Sequence, residues 1–333
     1  MRDFFAITAP TATKAVFSNS IYLQLTADSN DRSSINSFSP INSHIPATMA
    51  ETQPQVSAGN KISIVCLSDT HLKCPQVPDG DLLLHAGDFT SRGKFDEMQA
   101  QLDWLSALPH RHKVVVGGNH DRVLDPSYIA KHPKFDQGGK FEELDWHDIT
   151  YLERTSVTLE FPDAGRSLRI YGCPLTPAYV APKGGRGPYY SWAFLYDGKD
   201  HMWANTVPDD TDILLVHGPP KGHLDNDGKG CPHFLREVWR VRPPLVVFGH
   251  MHRSRGLETL HYDNWDTWAQ DQINMRAKPP GVLSNFAVTR TRLKASTSQM
   301  LGRSVVGVAN ARRSTQLVNA ADDEDLIANV LYL

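Results

Sequence analysis

The chain is poor in cysteine, in long apolar runs and in net charge. Its four cysteines, Cys66, Cys74, Cys173 and Cys231, are scattered through 333 residues without a CxxC pair. At this length that argues against a disulfide framework and reads as the reduced thiols of an intracellular protein. No apolar run approaches the roughly 20 residues of a membrane span. The formal net charge is −3, so no nucleic-acid or membrane partner is demanded by charge as a whole. There is no internal repeat. One local imbalance stands out. From Gln272 to Ala321 acidic residues are missing, against eight basic ones: Arg276, Lys278, Arg290, Arg292, Lys294, Arg303, Arg312 and Arg313. A face for polyanions is conceivable there, but a solvated insertion is the preferred reading.

What is present is enough for a core. Hydrophobic residues make up 40% and charged residues 21%, which suits one large domain or two small ones. Residues 1–60 are rich in Ser, Asn, Thr, Ala and Pro and carry no sustained periodicity. They are expected to be a disordered extension, with residues 61–333 as the domain. "MRDFFAITAP" is too short and broken for a secretory signal. A mitochondrial presequence is weakly supported, since Arg2, Lys14 and Arg32 are offset by Asp3, Asp28 and Asp31. In "ATMAET" the codons for Thr48 and Ala50 place A three bases before the Met49 codon and G after it. That context favours initiation, so translation is expected to be able to start at Met49.

From Lys61 the pattern becomes regular. Ile62–Ser68, Asp81–Gly87, Lys113–Gly118, Asp212–Gly218 and Pro244–His250 are short runs rich in Val, Ile or Leu. Such runs read as strands buried on both faces. Helical stretches lie between them at Lys94–Ala107 and His233–Arg240. The alternation predicts a layered α/β fold. Thr155–Phe161 and Ser167–Pro174 predict a hairpin turned through "PDAG". "GRSVVGVAN" and "STQLVNA" near the end predict another, and the tail "DDEDLIANVLYL" a helix with its acids at the positive end. Two stretches, near 176–200 and 261–304, are expected to be insertions, the second holding a helix around "NWDTWAQDQINM".

Each strand run is followed by side chains that can hold a metal: Asp69 and His71, Asp88, Asn119 and His120, His217, and His250 and His252. In α/β sheets ligands bind beyond the carboxyl ends of strands, so five strands bring these groups to one edge. Asp-x-His and His-x-His at one alternation of an extended chain place each pair on one face. Four imidazoles, two carboxylates and an amide oxygen favour Mn, Fe or Zn over Ca or Mg. Two divalent ions bring +4; two aspartates and a hydroxide leave +1, which suits an anionic phosphate ester. Metals lower the pKa of bound water toward ~7.

In this order, Asp69-x-His71, Gly87-Asp88, Gly118-Asn119-His120-Asp121, His217 and Gly249-His250-x-His252 resemble the calcineurin-like metallophosphoesterases. The likeness covers roughly Lys61 to Arg255, and "STQLVNA" belongs with it. "HAGDFT", "YGCP", "DILLVHGPPKGHLD" and "RPPLVVFGHMH" are similar to the metallophosphoesterase-domain-containing group, some of whose members hydrolyse cyclic nucleotides or other phosphodiesters. The resemblance implies a β-sandwich flanked by helices, in α-β-β-α layers, with a dimetal site at the strand ends. It implies one metal on Asp69, His71, Asp88 and His252, and another on Asp88, Asn119, His217 and His250, with Asp88 bridging. His120 would be the general acid, with in-line attack by hydroxide. In the Ser/Thr phosphatases of the superfamily a carboxylate three residues past the bridging Asp orients the catalytic His. Here that residue is Ser91, which weakens a protein-phosphatase reading and leaves the partner of His120 open. Arg92 matches their phosphate-contacting arginine.

The remaining candidates carry blander expectations. His85 should be a hydrogen-bonded core residue, and Asp121 a brace for its turn. Cys231 should pack, and His223 and His233 sit where they could rim the pocket. Tyr189, Tyr190 and Trp192 could stack on a base or hold a loop down. The function expected is phosphodiester hydrolysis on a small substrate such as a cyclic nucleotide. A phosphomonoesterase, a protein phosphatase and a non-catalytic scaffold are its rivals.

Overall fold

The computed structural model describes residues 23–24, 61–136, 138–178, 192–196, 202–262, 264–276, 314–321 and 329–332. The five apolar runs all form strands: β2 (Ser63–Leu67), β3 (Leu82–His85), β4 (His112–Val115), β10 (Ile213–Val216) and β11 (Leu245–Phe248). Nearly every residue in them is buried, as strands covered on both faces require. The remaining strands are β1 (Leu23–Gln24), β5 (Ile149–Tyr151), β6 (Thr155–Phe161), β7 (Arg166–Cys173), β8 (Thr176–Pro177), β9 (Leu195–Tyr196), β12 (Gly256–His261), β13 (Ser314–Asn319) and β14 (Asn329–Tyr332). The helices are α1 (Phe95–Ser106), α2 (Pro126–Lys131), α3 (Pro232–Val241) and α4 (Trp265–Arg276).

Two six-stranded sheets face one another. The first runs β1-β14-β2-β3-β4-β5, with β2 to β5 parallel; the second runs β12-β13-β11-β10-β7-β6, with β13, β11, β10 and β7 parallel. Alternate residues decide the layers. Ile64, Leu82, Leu84 and Val114 of the first sheet meet Ile170, Ile213, Leu215 and Val247 of the second in one buried cluster. The opposite faces take the helices. Leu83 and Val115 pack with Met98, Leu102 and Leu105 of α1, which recur at helical spacing. Leu214, Val246 and Phe248 pack with Phe234, Val238 and Val241 of α3. The α-β-β-α sandwich is therefore the architecture. Truncating a fully buried leucine such as Leu84 would cost about 2–5 kcal/mol.

Two sequence expectations are corrected. The "STQLVNA" strand is no hairpin arm: β13 has β11 on one edge and β12 on the other, so both its edges are taken. "GRSVVGVAN" itself lies outside the described residues. The tail is not a helix over Asn329–Tyr332. Those residues pair antiparallel with β2, covering an edge that would otherwise stay unpaired. The extension before residue 61 contributes a short strand, Leu23–Gln24, parallel to β14; the rest of it is outside the described residues, as are the segments 179–191 and 277–313 and the acids that begin the tail. The β6–β7 hairpin, α1, α3 and α4 form as expected. All four cysteines are free thiols. Among the described residues no helix is long and apolar enough to cross a membrane.

Candidate metal centre

The parallel strands of both sheets deliver their following residues to one edge. Two trios assemble there, Asp69–His71–His252 and Asp88–His217–His250, and within each the ligand atoms lie within 4.8 Å of one another. The sheets are sewn together at this point. His217 Nδ1, from the second sheet, donates to the Ala86 carbonyl at 2.7 Å, and the His250 amide donates to Asp69 Oδ2 at 2.9 Å.

The local backbone differs from the extended alternation expected. Asp69, His71, Asp88 and His250 all have positive φ, at 57°, 44°, 58° and 67°. Left-handed backbone costs about 1–2 kcal/mol per residue and persists where the surroundings over-determine it. Here they do: the amides of Asp69, His71 and Leu72 donate to the carbonyls of Gly87, Asp88 and Phe89. Asp69 and His71 share a trio as foreseen. His250 and His252 do not; the turn between them sends one to each trio. Glycine is required at two points by close approach. A Cβ on Gly118 would sit 2.3 Å from Asp88 Oδ1, and one on Gly249 would sit 2.2 Å from Asp69 Oδ2.

The donor atoms suit metal ions. His71 Nδ1 donates to the Thr90 carbonyl at 3.0 Å, as His217 Nδ1 does to Ala86. A carbonyl only accepts, so in the neutral ring the proton sits on Nδ1 and Nε2 is left for a metal. Asp69 Oδ2 accepts from Ser68 Oγ and His250 N, whereas Oδ1 is buried without a hydrogen bond, 3.3 Å from His252 Nε2. An acceptor stranded like this is what a cation would satisfy. Asn119 Oδ1 lies 3.1 Å from His217 Nε2, and Asp88 Oδ2 lies 3.3 Å from the same nitrogen. All seven sequence candidates for metal binding are thus at this edge.

The charges are mutually dependent. Burial would raise the Asp69 and Asp88 carboxyls, but nearby imidazoles outweigh it and hold both below the usual range: His252, with His217, close to Asp69, and His217 beside Asp88. Burial opposes charge on His217 as well, yet Asp88 lifts it to about 9. His250 is pushed down to about 3, by burial first and by the His217 charge next. Of these two neighbours, His217 is thus the one that favours its proton and His250 the one that sheds it.

His120 stands at the rim, with its side chain 27% exposed and Nε2 4.0 Å from Asp88 Oδ2. Its amide donates to Asp88 Oδ1 at 2.7 Å. The open question of its partner is answered by backbone: Nδ1 donates to the Ser91 carbonyl at 2.9 Å. Sequence carries no signal for such a partner, because any residue type supplies a carbonyl. Arg92 is exposed; its amide donates to Glu97 Oε2, and its carbonyl accepts from Arg122. Asp121 is the brace expected of it. Its oxygens accept from the amides of Asp88, Phe89, Thr90 and Gly118 and from Thr90 Oγ1. Burial, with Asp88 nearby, lifts its carboxyl to about 6.

Other candidates fall elsewhere. His85 is a core residue as expected: fully buried, bonded to Thr70 Oγ1 and the Gly87 amide, and stacked on Phe89. Burial pushes it down to about 3. His223 lies between two carboxylates, 2.7 Å from Glu258 and 2.8 Å from Asp271. Cys231 packs and caps α3, its sulfur accepting from the Phe234 amide. Trp192 lies against His120, with ring centroids 4.0 Å apart. Tyr189 and Tyr190 are outside the described residues.

Comparison with known proteins bears on this geometry directly. The model of the calcineurin-like phosphoesterases matches residues 62–254, the stretch holding every residue of both trios. The chain belongs to this family. Among curated relatives of this family member, a probable rhamnogalacturonate lyase C of Emericella nidulans is 41% identical over 206 residues, covering 61% of this chain and 18% of that protein. Human metallophosphoesterase domain-containing protein 1 is 36% identical over 210 residues, covering 58% of this chain and 61% of its own. The matched stretch is thus less than two thirds of either relative. Among solved structures, TT1561 of Thermus thermophilus is 14% identical, covering 60% of this chain and 84% of that one at a TM-score of 0.38.

Proposed function

We propose that the protein is a dimetal phosphoester hydrolase acting on a small phosphodiester such as a cyclic nucleotide. The observation that carries this is the pair of adjacent trios, Asp69–His71–His252 and Asp88–His217–His250, with Asn119 beside the second and His120 at the rim. Asp69, His71, Asp88 and His252 would hold one ion, and Asp88, Asn119, His217 and His250 the other, with Asp88 shared. Imidazole, carboxylate and amide donors suit Mn, Fe or Zn. Such ions supply Lewis acidity and a nucleophile at neutral pH.

The rest falls to the chain. The Ser91 carbonyl keeps the His120 Nδ1 protonated and turns Nε2 toward the site. In the imidazolium form Nε2–H gives its proton to the leaving oxygen, a contribution of about 10²–10⁴ in rate. The Asn119 amide group, beside His217, would meet the phosphate as well as the second ion. Arg92, on the turn next to Ser91, would contact a phosphate oxygen. Among the described residues the partner of His120 Nδ1 is the Ser91 carbonyl rather than a carboxylate, which supports a reading away from the protein phosphatases.

The test is hydrolysis of bis-p-nitrophenyl phosphate and p-nitrophenyl phosphate by Mn-loaded protein, beside Asp88→Asn and His120→Ala. Diester cleavage that is lost with Asp88→Asn is expected. Preference for the monoester would overturn the diesterase reading. Absence of metal-dependent turnover on either ester would overturn hydrolysis itself.

A further inference from the structure

Arg122 is an arginine in an unusual setting. It is 9% exposed, yet among the described residues no carboxylate lies within ion-pair distance of it. Its buried Nε has no hydrogen-bond partner. Burial lowers its pKa, so its charge is held at a cost that packing must offset. The guanidinium is clamped between two rings, 4.4 Å from the Phe135 centroid and 4.6 Å from that of Trp192. Its Nη1 donates to the Arg92 carbonyl at 3.2 Å.

Both contacts lead to His120. The Trp192 ring, held on one side by Arg122, lies on the imidazole at 4.0 Å with 39° between planes. The backbone that carries the indole is tied down next to it: Ala193 N–H donates to the Asn119 carbonyl at 3.0 Å, and Phe194 N–H donates to Asp125 Oδ2. The Arg92 carbonyl belongs to the residue after Ser91, whose own carbonyl accepts from His120 Nδ1 at 2.9 Å. One side chain therefore supports the face of the imidazole and the backbone turn that fixes its proton.

We propose that Arg122 and Trp192 are positioning residues for His120, doing together the orienting work that a carboxylate does elsewhere in the superfamily. The imidazole's plane is set by the indole, and its tautomer by a carbonyl that Arg122 anchors. Neither residue touches the reacting atoms. The inference rests on His120 acting as the acid, and the experiment separates the two.

The measurement is kcat and KM for a series of aryl phosphodiesters running from a dinitrophenolate to a phenolate leaving group. The proteins are Mn-loaded wild type, Trp192→Leu, Trp192→Phe, Arg122→Met, His120→Ala and the double variant His120→Ala/Trp192→Leu. A poor leaving group needs the proton and a good one does not. A misplacement of about 1 Å can cost ~100-fold, so Trp192→Leu and Arg122→Met are expected to lower kcat for the phenolate by about 10- to 100-fold. They should leave dinitrophenolate within about threefold, with KM unchanged. Trp192→Phe should restore the ring contact and most of the rate. In the double variant Trp192→Leu should add no further loss. In the Zn-loaded proteins, whose ions are diamagnetic, the imidazole nitrogen resonances of His120, identified by their absence in His120→Ala, should show a Nδ1-protonated ring in the wild type and mixed tautomers in Arg122→Met.

If His120→Ala lowers all esters equally, the acid reading falls, and this inference with it. If His120→Ala shows the leaving-group dependence while Trp192→Leu and Arg122→Met slow every ester alike, the pair is structural and the positioning role is overturned. Unchanged tautomers in Arg122→Met would overturn the anchoring of the turn.

Discussion

His223 offers a prediction whose size follows from its surroundings. Its side chain is 6% exposed and lies between Glu258 of β12 and Asp271 of α4. Asp271 also accepts from Trp239 Nε1 and Asn274 Nδ2, and is 1% exposed. Burial would depress the imidazole, but its bonds to Asp271 and Glu258 raise it from an ordinary 6.5 to about 9. A difference of that size corresponds to about 3 kcal/mol, since one pKa step is about 1.4 kcal/mol. Glu258 is 37% exposed, so solvent screening trims this to roughly 2–3 kcal/mol. The folded pKa is the higher one. The stabilisation is therefore complete below the unfolded value of 6.5 and is lost as pH rises through about 9.

The assay is urea unfolding of metal-loaded wild type and His223→Gln at about pH 6 and about pH 10. Groups common to both proteins cancel in the difference. The variant should be less stable at the lower pH, partly because Asp271 is left buried without its cation. The gap should narrow by about 2–3 kcal/mol at the higher pH. Amide exchange should quicken first in α4, which His223 ties to the loop after His217. A gap that stays constant with pH would refute the charged clamp.

Removing metal with a chelator should lower the midpoint of thermal unfolding. Each ion at a hundred times its dissociation constant contributes about 2.7 kcal/mol, and calorimetry with and without Mn would read it. Gly249→Ala puts a carbon 1.9 Å from Ser68 Oγ and 2.2 Å from Asp69 Oδ2. Metal content by elemental analysis should fall, and unfolding should come earlier by an amount typical of overpacking, about 1–3 kcal/mol. Asp121→Asn turns a carboxylate that takes five donors into a group with one acceptor oxygen. At least one buried donor is then unpaired, at about 1–3 kcal/mol, and melting with metal analysis should show both stability and occupancy reduced.

The parts of this molecule readable in sequence are those where one residue type answers one physical demand. Runs such as "LLLH" and "LVVF" are buried at every position and almost wholly apolar because both faces of the strand are covered. The candidate metal ligands are Asp, His and Asn, side chains with the donor atoms an ion needs, and they follow strands because strand ends share an edge. β12, "GLETLH", gives no such signal because its exposure is mixed and its outer face polar. β14 gives none because its four residues answer to an open edge of β2, hundreds of residues away in sequence. The orienting contact of His120 is a backbone oxygen, and the left-handed turns at Asp69 and His71 are held by the carbonyls of Gly87 and Asp88. Neither leaves a mark on residue identity.

Those turns also explain why metal binding and folding are one problem here. Asp69, Asp88 and Asn119 follow strands of the first sheet, and His217, His250 and His252 follow strands of the second. Each trio therefore draws on both sheets. The bonds that hold the ligands are also the bonds that close the sandwich at this edge: His217 to Ala86, His250 to Asp69, and Gly249 to His217. Four ligands in left-handed backbone hold about 1–2 kcal/mol of strain each, and the two aspartates are buried charges that need cations. His217, raised by its contacts with Asp88 and Asp69, answers part of that need. Ions bound there would give Asp69 Oδ1 a partner, so the same ions that would serve hydrolysis would also relieve a strained part of the fold.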